Sequence, residues 1–171
     1  GTGRYLAHTA SGTPVAVINV QGRVFMPTID CPFQAMERET PRLAKEARVI
    51  LVDMHGEATS EKMAMGWFLD GKVSAVVGTH THIPTADERV LPGGTAYITD
   101  IGMCGPFDSV IGIEREGSLV RFLNGMPAKF ETATKDPWLN AVLIDVDEST
   151  GKARCIERIR VTEEDLSAED N

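Results

Sequence analysis

Gly78-Thr79-His80-Thr81-His82 is the stretch on which the reading of this chain turns. It follows Lys72-Val73-Ser74-Ala75-Val76-Val77, an apolar run with the character of a buried strand. Residues two apart on an extended chain share a side. His80 and His82 therefore stand over one cleft at a strand's carboxyl end, where α/β sheets carry their ligands. His55 ends a second apolar run, Val49-Ile50-Leu51-Val52-Asp53-Met54, so three of the chain's four histidines sit at strand ends. Neutral imidazole is a preferred ligand for zinc, iron and similar ions. Two such ions about 3.5–4 Å apart form the clamp of many phosphatases and nucleases. A His-x-His pair suits that clamp, because one imidazole can address each ion. The pattern points to metal-assisted hydrolysis; the competing reading is a pair of loop histidines bonded to backbone or water.

The neighbours of these histidines extend the candidate site. Asp53, His55, Glu57 and Thr59 alternate, so an extended chain would turn all four to one side. Asp53 either orients a ligand from behind or bonds to backbone. Glu57 suits a helix start, where an acid complements the dipole. Asp100 follows the short run Thr95–Thr99 at the same sheet edge, and either lines the pocket or makes an Asx-type turn. Thr79 joins Asp53, Glu57 and Asp100 as a residue expected behind the ligands or along the pocket wall. Cys104 has no histidine near it in sequence and reads as a packing residue. His8 reads as solvated surface. Met63, Met65, Trp67 and Phe68 read as core or interface, and Arg23, Arg115 and Arg121 as surface charge.

Composition bounds the function. The 171 residues suffice for one domain with a sizeable core. Seventeen basic against 25 acidic residues give a formal charge of −8, which argues against a broad nucleic-acid-binding face. A nucleotide or short phosphodiester remains open as substrate, since bound metal supplies local positive charge. Cys31, Cys104 and Cys155 are widely spaced, the usage of reduced thiols, and a cytoplasmic location is expected. No apolar run reaches membrane-spanning length and no signal-peptide pattern opens the chain. The opening Gly1-Thr2-Gly3-Arg4, without an initiator Met, reads as a processed, trimmed or partial chain.

Along the chain, Pro14–Val20 reads as a strand and Gly22–Pro32 as a loop. Phe33–Ala47 has helical spacing, with Pro41 expected to kink or split it. Val49–Met54 has the two-faced apolarity of a central parallel strand. Ser60–Leu69 suits a helix with Met63, Ala64 and Trp67 on its apolar face, closed by Gly71. Lys72–Gly78 and Thr95–Thr99 follow as strands. The alternation implies right-handed crossovers and a largely parallel sheet. Asp100–Asp108 reads as a glycine-rich loop, and Leu119–Leu123 as a strand or a helical turn. Ala141–Asp147 and Ala153–Val161 form an expected antiparallel hairpin turning at Gly151. The acidic tail from Glu163 is expected to fray.

Three ordered blocks carry a resemblance. They are His55-Gly56-Glu57-Ala58-Thr59-Ser60-Glu61-Lys62, then Gly78-Thr79-His80-Thr81-His82 with Thr85-Ala86-Asp87, then Thr95-Ala96-Tyr97-Ile98-Thr99-Asp100-Ile101-Gly102-Met103 with Gly105-Pro106. Together they resemble the YmdB-like bacterial metallophosphoesterases of the calcineurin-like superfamily, from about Pro14 to about Val161. The resemblance implies an α/β/β/α sandwich with a dinuclear centre of divalent or trivalent ions (Fe, Mn or Zn) at the strand ends. It implies hydrolysis of phosphodiesters, including 2′,3′-cyclic nucleotides, by a metal-bridged hydroxide. It also implies that His55 and His80 bind one metal and His82 the other.

The family's Gly-Asp-Val-Val-Gly-like, Gly-Glu-Asn and Gly-Asn-His motifs do not occur in these 171 residues. The chain thus reads as a single metallophosphoesterase domain over 1–171. It corresponds to the C-terminal two-thirds of the family domain, with the sandwich incomplete at its N-terminal side. An N-terminal segment is then the partner expected to complete the site, and this chain alone is expected to be inactive. Homo-oligomers are open. Two other functions fit the residues: a mononuclear zinc hydrolase using His55, His80 and His82, and a non-catalytic regulatory or assembly module.

Overall fold

A computed structural model describes residues 3–169. The elements in chain order are β1 (Arg4–His8), β2 (Pro14–Gln21), α1 (Pro32–Glu46), β3 (Val49–His55), α2 (Thr59–Leu69), β4 (Ala75–Thr79) and β5 (Arg89–Val90). They continue with β6 (Ala96–Ile98), β7 (Gly105–Pro106), α3 (Arg115–Asn124), β8 (Pro137–Val146), β9 (Ala153–Val161) and α4 (Glu163–Glu169). One sheet runs β1-β2-β3-β4-β6-β5, the other β7-β8-β9. β2, β3, β4 and β6 are mutually parallel, with β1 and β5 antiparallel at the edges.

Period-2 alternation gives the central strands two apolar faces. Ile18, Val20, Ile50, Val52, Met54 and Val76 pack with Met36 and Leu43 of α1 and Met65 and Leu69 of α2. On the opposite face Leu51, Ala75, Val77, Ala96 and Ile98 meet Val142 and Ile144 of β8 and Ile156 of β9. The result is helices on sheet on sheet, a mixed α/β architecture with its core in two layers. Each fully buried aliphatic side chain contributes about 1.5–3 kcal/mol to holding those layers together. Among the described residues, no helix is long and apolar enough to cross a membrane.

Several expectations need correction. Arg4–His8, assigned no element from the sequence, is an edge strand on β2, and His8 is exposed at its end as expected. Pro41 does not split the helix, which runs unbroken from Pro32 to Glu46. Pro41 and Glu37, whose carbonyl loses its partner, both face solvent, so water can satisfy that oxygen. The buried residues of α2 are Glu61, Lys62, Met65, Gly66 and Leu69, while Trp67 is 53% exposed. The apolar face assigned to Met63, Ala64 and Trp67 is thus displaced around the helix. Leu119–Leu123 lies within helix α3, and β7 interrupts the glycine-rich loop. The acidic tail forms a helix, because Thr162 and Asp165 exchange hydrogen bonds as a capping box.

The loop after β4 is tied back to β6 by Asp87. Its carboxylate accepts hydrogen bonds from the Thr85 hydroxyl at 2.6 Å, the Thr99 hydroxyl at 2.5 Å and the Thr99 N–H at 3.1 Å. Burial pushes this carboxyl upward, but the hydrogen bonds from Thr85 and Thr99 outweigh it and hold the pKa below the ordinary value. A depressed folded pKa means stability that is present above the unfolded value near about 3.9 and lost as pH falls through the folded value. Asp87→Asn should therefore lower the urea midpoint at pH 7. The gap to wild type should narrow below about pH 4, and a gap constant from pH 7 to pH 3 would contradict the clamp.

Gly78 is backed directly onto the next strand. A Cβ there would overlap the Thr99 carbonyl oxygen, with its carbon at 2.6 Å. At Gly56 an added Cβ meets nothing nearer than 3.7 Å. Gly78→Ala should cost about 3 kcal/mol or more, and Gly56→Ala well under that, in equilibrium urea unfolding. Equal losses would show that strand spacing at Thr99 is not the constraint.

Candidate metal centre

The parallel register decides which side chains meet. Asn19 pairs with Asp53 and His55 with Thr79 across the β2-β3-β4 ladder. Asn19, Asp53, His55 and Thr79 share the parity of Leu51 and Val77, whose side chains face the second sheet. They continue that face beyond the β8–β9 cover, at the strands' carboxyl ends.

A chain of hydrogen bonds sets the protons here. The Asn19 amide donates to Asp53 Oδ2 at 2.7 Å, and the Thr79 hydroxyl donates to Asp53 Oδ1 at 2.7 Å. Thr79 has spent its only proton, so at 3.0 Å it accepts from His55 Nδ1. His55 is thereby held with Nδ1 protonated and the Nε2 lone pair free. That Nε2 lies 3.1 Å from His80 Nδ1, the rings crossing edge to face at 84°. On its far side His80 Nε2 is 3.1 Å from Glu57 Oε2. His82 turns away: its Nδ1 donates to the Ile111 carbonyl at 2.9 Å, which frees its Nε2.

These contacts test whether the residues suit a metal. If His80 gives its one proton to Glu57, two lone pairs face each other across 3.1 Å. A second proton on His80, or a cation shared by both nitrogens, removes that conflict. Two nitrogens each about 2.0–2.1 Å from one ion stand about 2.9–3.4 Å apart at ordinary bond angles. The donor set thus fits two imidazole ligands of a single ion. Among the described residues, no group of three or more His, Cys, Asp or Glu side chains converges to hold a metal.

The backbone of the loop is unusual. His80 and His82 have φ of 105° and 70°, a region that non-glycine residues rarely occupy. Such strain is found where surrounding structure enforces it, commonly at functional sites. The enforcing contacts come from behind. Asp100 Oδ2 accepts from the Thr81 N–H and hydroxyl, and Asp100 Oδ1 from the Gly102 N–H. Lys62 Nζ reaches Asp100 Oδ2 at 2.9 Å and the Thr79 carbonyl at 3.3 Å. Burial works against ionising Asp100, yet the bonds from Thr81, Lys62 and Gly102 prevail and keep its pKa low. Next to Lys62, the Glu61 carboxylate accepts the N–H groups of Arg23 and Val24 and so pins the loop after β2.

The structure thus brings His55, His80, Asp53, Glu57 and Thr79 together, while His82 is bonded to the Ile111 carbonyl and to none of these. Asp100 lies beneath the loop, not along an open wall. Glu57 precedes α2, which starts at Thr59, and its carboxylate meets His80 and not the helix end. Sequence reasoning missed Asn19, Lys62 and Thr81. The parity of Val17, Asn19 and Gln21 on β2 was a signal for the first. Lys62, at helical spacing from Met65 and Leu69, was a signal for the second.

The fold is shared with known proteins. A Thermus thermophilus structure described as a hypothetical protein superposes with a TM-score of 0.89 at 40% identity, over 95% of this chain and 63% of that one. A Mycoplasma pneumoniae structure described as a novel phosphatase gives 0.86 at 37% identity, over 100% of this chain and 61% of that one. In sequence, the chain is 49% identical over 157 residues to a Bacillus subtilis (strain 168) protein named 2′,3′-cyclic-nucleotide 2′-phosphodiesterase, covering 92% of this chain and 60% of that protein. It is 46% identical over 124 residues to a Mycoplasma pneumoniae protein named putative phosphatase/phosphodiesterase, covering 72% of this chain and 44% of that protein. The chain therefore spans about 60% or less of the length of these two relatives. The family model described as YmdB-like protein matches residues 1–159, and with relatives this close over so much of the chain, the chain belongs to the YmdB-like family.

Proposed function

We propose that this chain supplies the imidazole ligands of a phosphodiesterase acting on 2′,3′-cyclic nucleotides, within a calcineurin-like α/β/β/α sandwich. The observation that carries the reading is the pair of imidazole nitrogens at 3.1 Å, each with its other nitrogen already bonded. His55 and His80 would hold one ion and His82 Nε2 another. The ions, of Fe, Mn or Zn type, would supply a water of lowered pKa and positive charge against the phosphoryl oxygens. The remaining ligands would come from the part of the family domain that this chain does not span.

The chain's own residues do the orienting. Asp53 and Thr79 hold His55 with Nε2 outward, Glu57 holds the far nitrogen of His80, and the Ile111 carbonyl holds His82. This is the arrangement in which hydrogen bonds behind the ligands fix ring orientation and raise donor basicity.

The test uses protein spanning the whole family domain, loaded with metal. Removing an outer partner costs such sites about 10–100-fold in affinity or activity. Asp53→Asn should fall in that range with 2′,3′-cyclic AMP as substrate. His80→Ala should lose about one ion per chain by elemental analysis, and more than about 100-fold in turnover. Full metal content and undiminished hydrolysis in His80→Ala would sink the assignment. A wild type with a single zinc per chain would favour a mononuclear centre instead. The three-histidine form of that reading would need His82 to leave the Ile111 carbonyl and join His55 and His80.

A further inference from the structure

We propose that Lys62 is a positioning residue for His80, a strut that fixes the backbone from which a metal-ligating imidazole is presented. The inference rests on the reading of His80 as a ligand. Lys62 and Asp100 are each about 1% exposed, as deeply buried as the apolar core around them.

The lysine stem runs between two glycines that flank the histidines. A Cβ at Gly78 would lie 2.9 Å from Lys62 Cδ, and one at Gly56 3.8 Å from its Cγ. Gly56 follows His55, and Gly78 stands two residues before His80. A side chain at Gly78 would press on the stem as well as on the Thr99 carbonyl, just past β6. The ammonium then emerges beneath the loop. It donates to the Thr79 carbonyl, on one side of His80, and to Asp100 Oδ2. The same oxygen takes the Thr81 N–H, on the other side of His80. One buried ion pair thus grips the peptides before and after a residue whose φ is 105°.

Stability alone is a weak reason for this pair. Desolvating two charges offsets most of their attraction, and apolar replacements of similar volume are commonly as stable. What an apolar pair cannot supply is direction. Here the directed bonds end on the histidine loop and not on the core, which is the mark of a part retained for geometry.

The double variant Lys62→Met/Asp100→Asn, in protein spanning the whole family domain, keeps both shapes and removes both charges. It should unfold cooperatively. Its affinity for Mn²⁺ by calorimetry should fall about 10-fold or more, and kcat should drop with KM within about twofold. In metal-free protein the His80 imidazole NMR signals should move, and those of His55 with them through the edge-to-face ring contact, while those of His8, which pairs with Pro14 at the other end of the sheet, should stay. Unchanged His80 signals and wild-type Mn²⁺ affinity overturn the proposal, whatever the stability. If the double variant does not fold, Lys62→Gln decides. Its side chain is one atom shorter and withdraws the donor from the Thr79 carbonyl, while Asp100 keeps its bonds from Thr81 and Gly102, so a shift of the His80 signals supports the strut and no shift overturns it. Wild-type protein that takes up no metal would end the metal reading, while the metal-free comparison at His80 still judges Lys62.

Discussion

A slip of one residue between β3 and β4 would turn Thr79 away from His55 and toward the helices. Because side chains alternate with a strict period of two, such a slip would move every polar residue of these strands into the apolar layer. The register is pinned from both faces at once. Val52 and Val76 are committed to the helix side, and Leu51 and Val77 to the second sheet. With those four placed, Asn19, Asp53, His55 and Thr79 have no freedom about which side they face. The chemistry at the strand ends is thus a consequence of core packing well below it.

What the strands deliver is a row of residues; what the hydrogen bonds deliver is a choice of nitrogen. Imidazole offers two nearly equivalent donors, and an unrestrained ring presents either. Asp53, acting through Thr79, removes that choice at His55, and the Ile111 carbonyl removes it at His82. A carboxylate two bonds removed from the ring also polarises it, so position and basicity are set by the same contact. The oxygen partners near these histidines are therefore engaged with the rings and not directed at a shared point. That is consistent with the lack of a three-ligand cluster among the described residues.

The sequence was most informative where burial is symmetric. The strands read at 49–54 and 72–78 are apolar on both faces and correspond to β3 and to β4, which starts three residues later at Ala75. The hairpin read at 141–147 and 153–161 turns at Gly151, though β8 begins earlier, at Pro137. β1 was not legible, because Arg4-Tyr5-Leu6-Ala7-His8 is an exposed edge strand with almost no buried face to leave a pattern. The buried face of α2 was misplaced for the opposite reason. It includes Glu61 and Lys62, and hydropathy assigns charged residues to solvent unless their partners are known. At the site, His55, His80 and His82 stood out by type and strand-end position. Asn19 becomes visible only once the β2–β3 register is known. The Ile111 carbonyl was never legible, since every residue carries one.

The two ways of presenting a nitrogen explain why the loop is held so firmly at His80. His55 offers Nε2, the far corner of its ring, from a strand whose backbone is already fixed by two neighbours. His80 offers Nδ1, which is bonded directly to the ring carbon nearest the backbone. A nitrogen so close to the main chain has a short lever arm, and rotation about χ1 and χ2 corrects little of any backbone error. On the proposed reading of His80 as a ligand, a residue of that kind needs its φ and ψ set before binding, in a conformation it would not choose unaided. Glycine at position 80 would adopt that φ without strain but could not ligate. Histidine there requires contacts that enforce the turn. The bonds to Thr79 and Thr81 on either side supply them, and they reach the loop from the two most deeply buried charges beneath it.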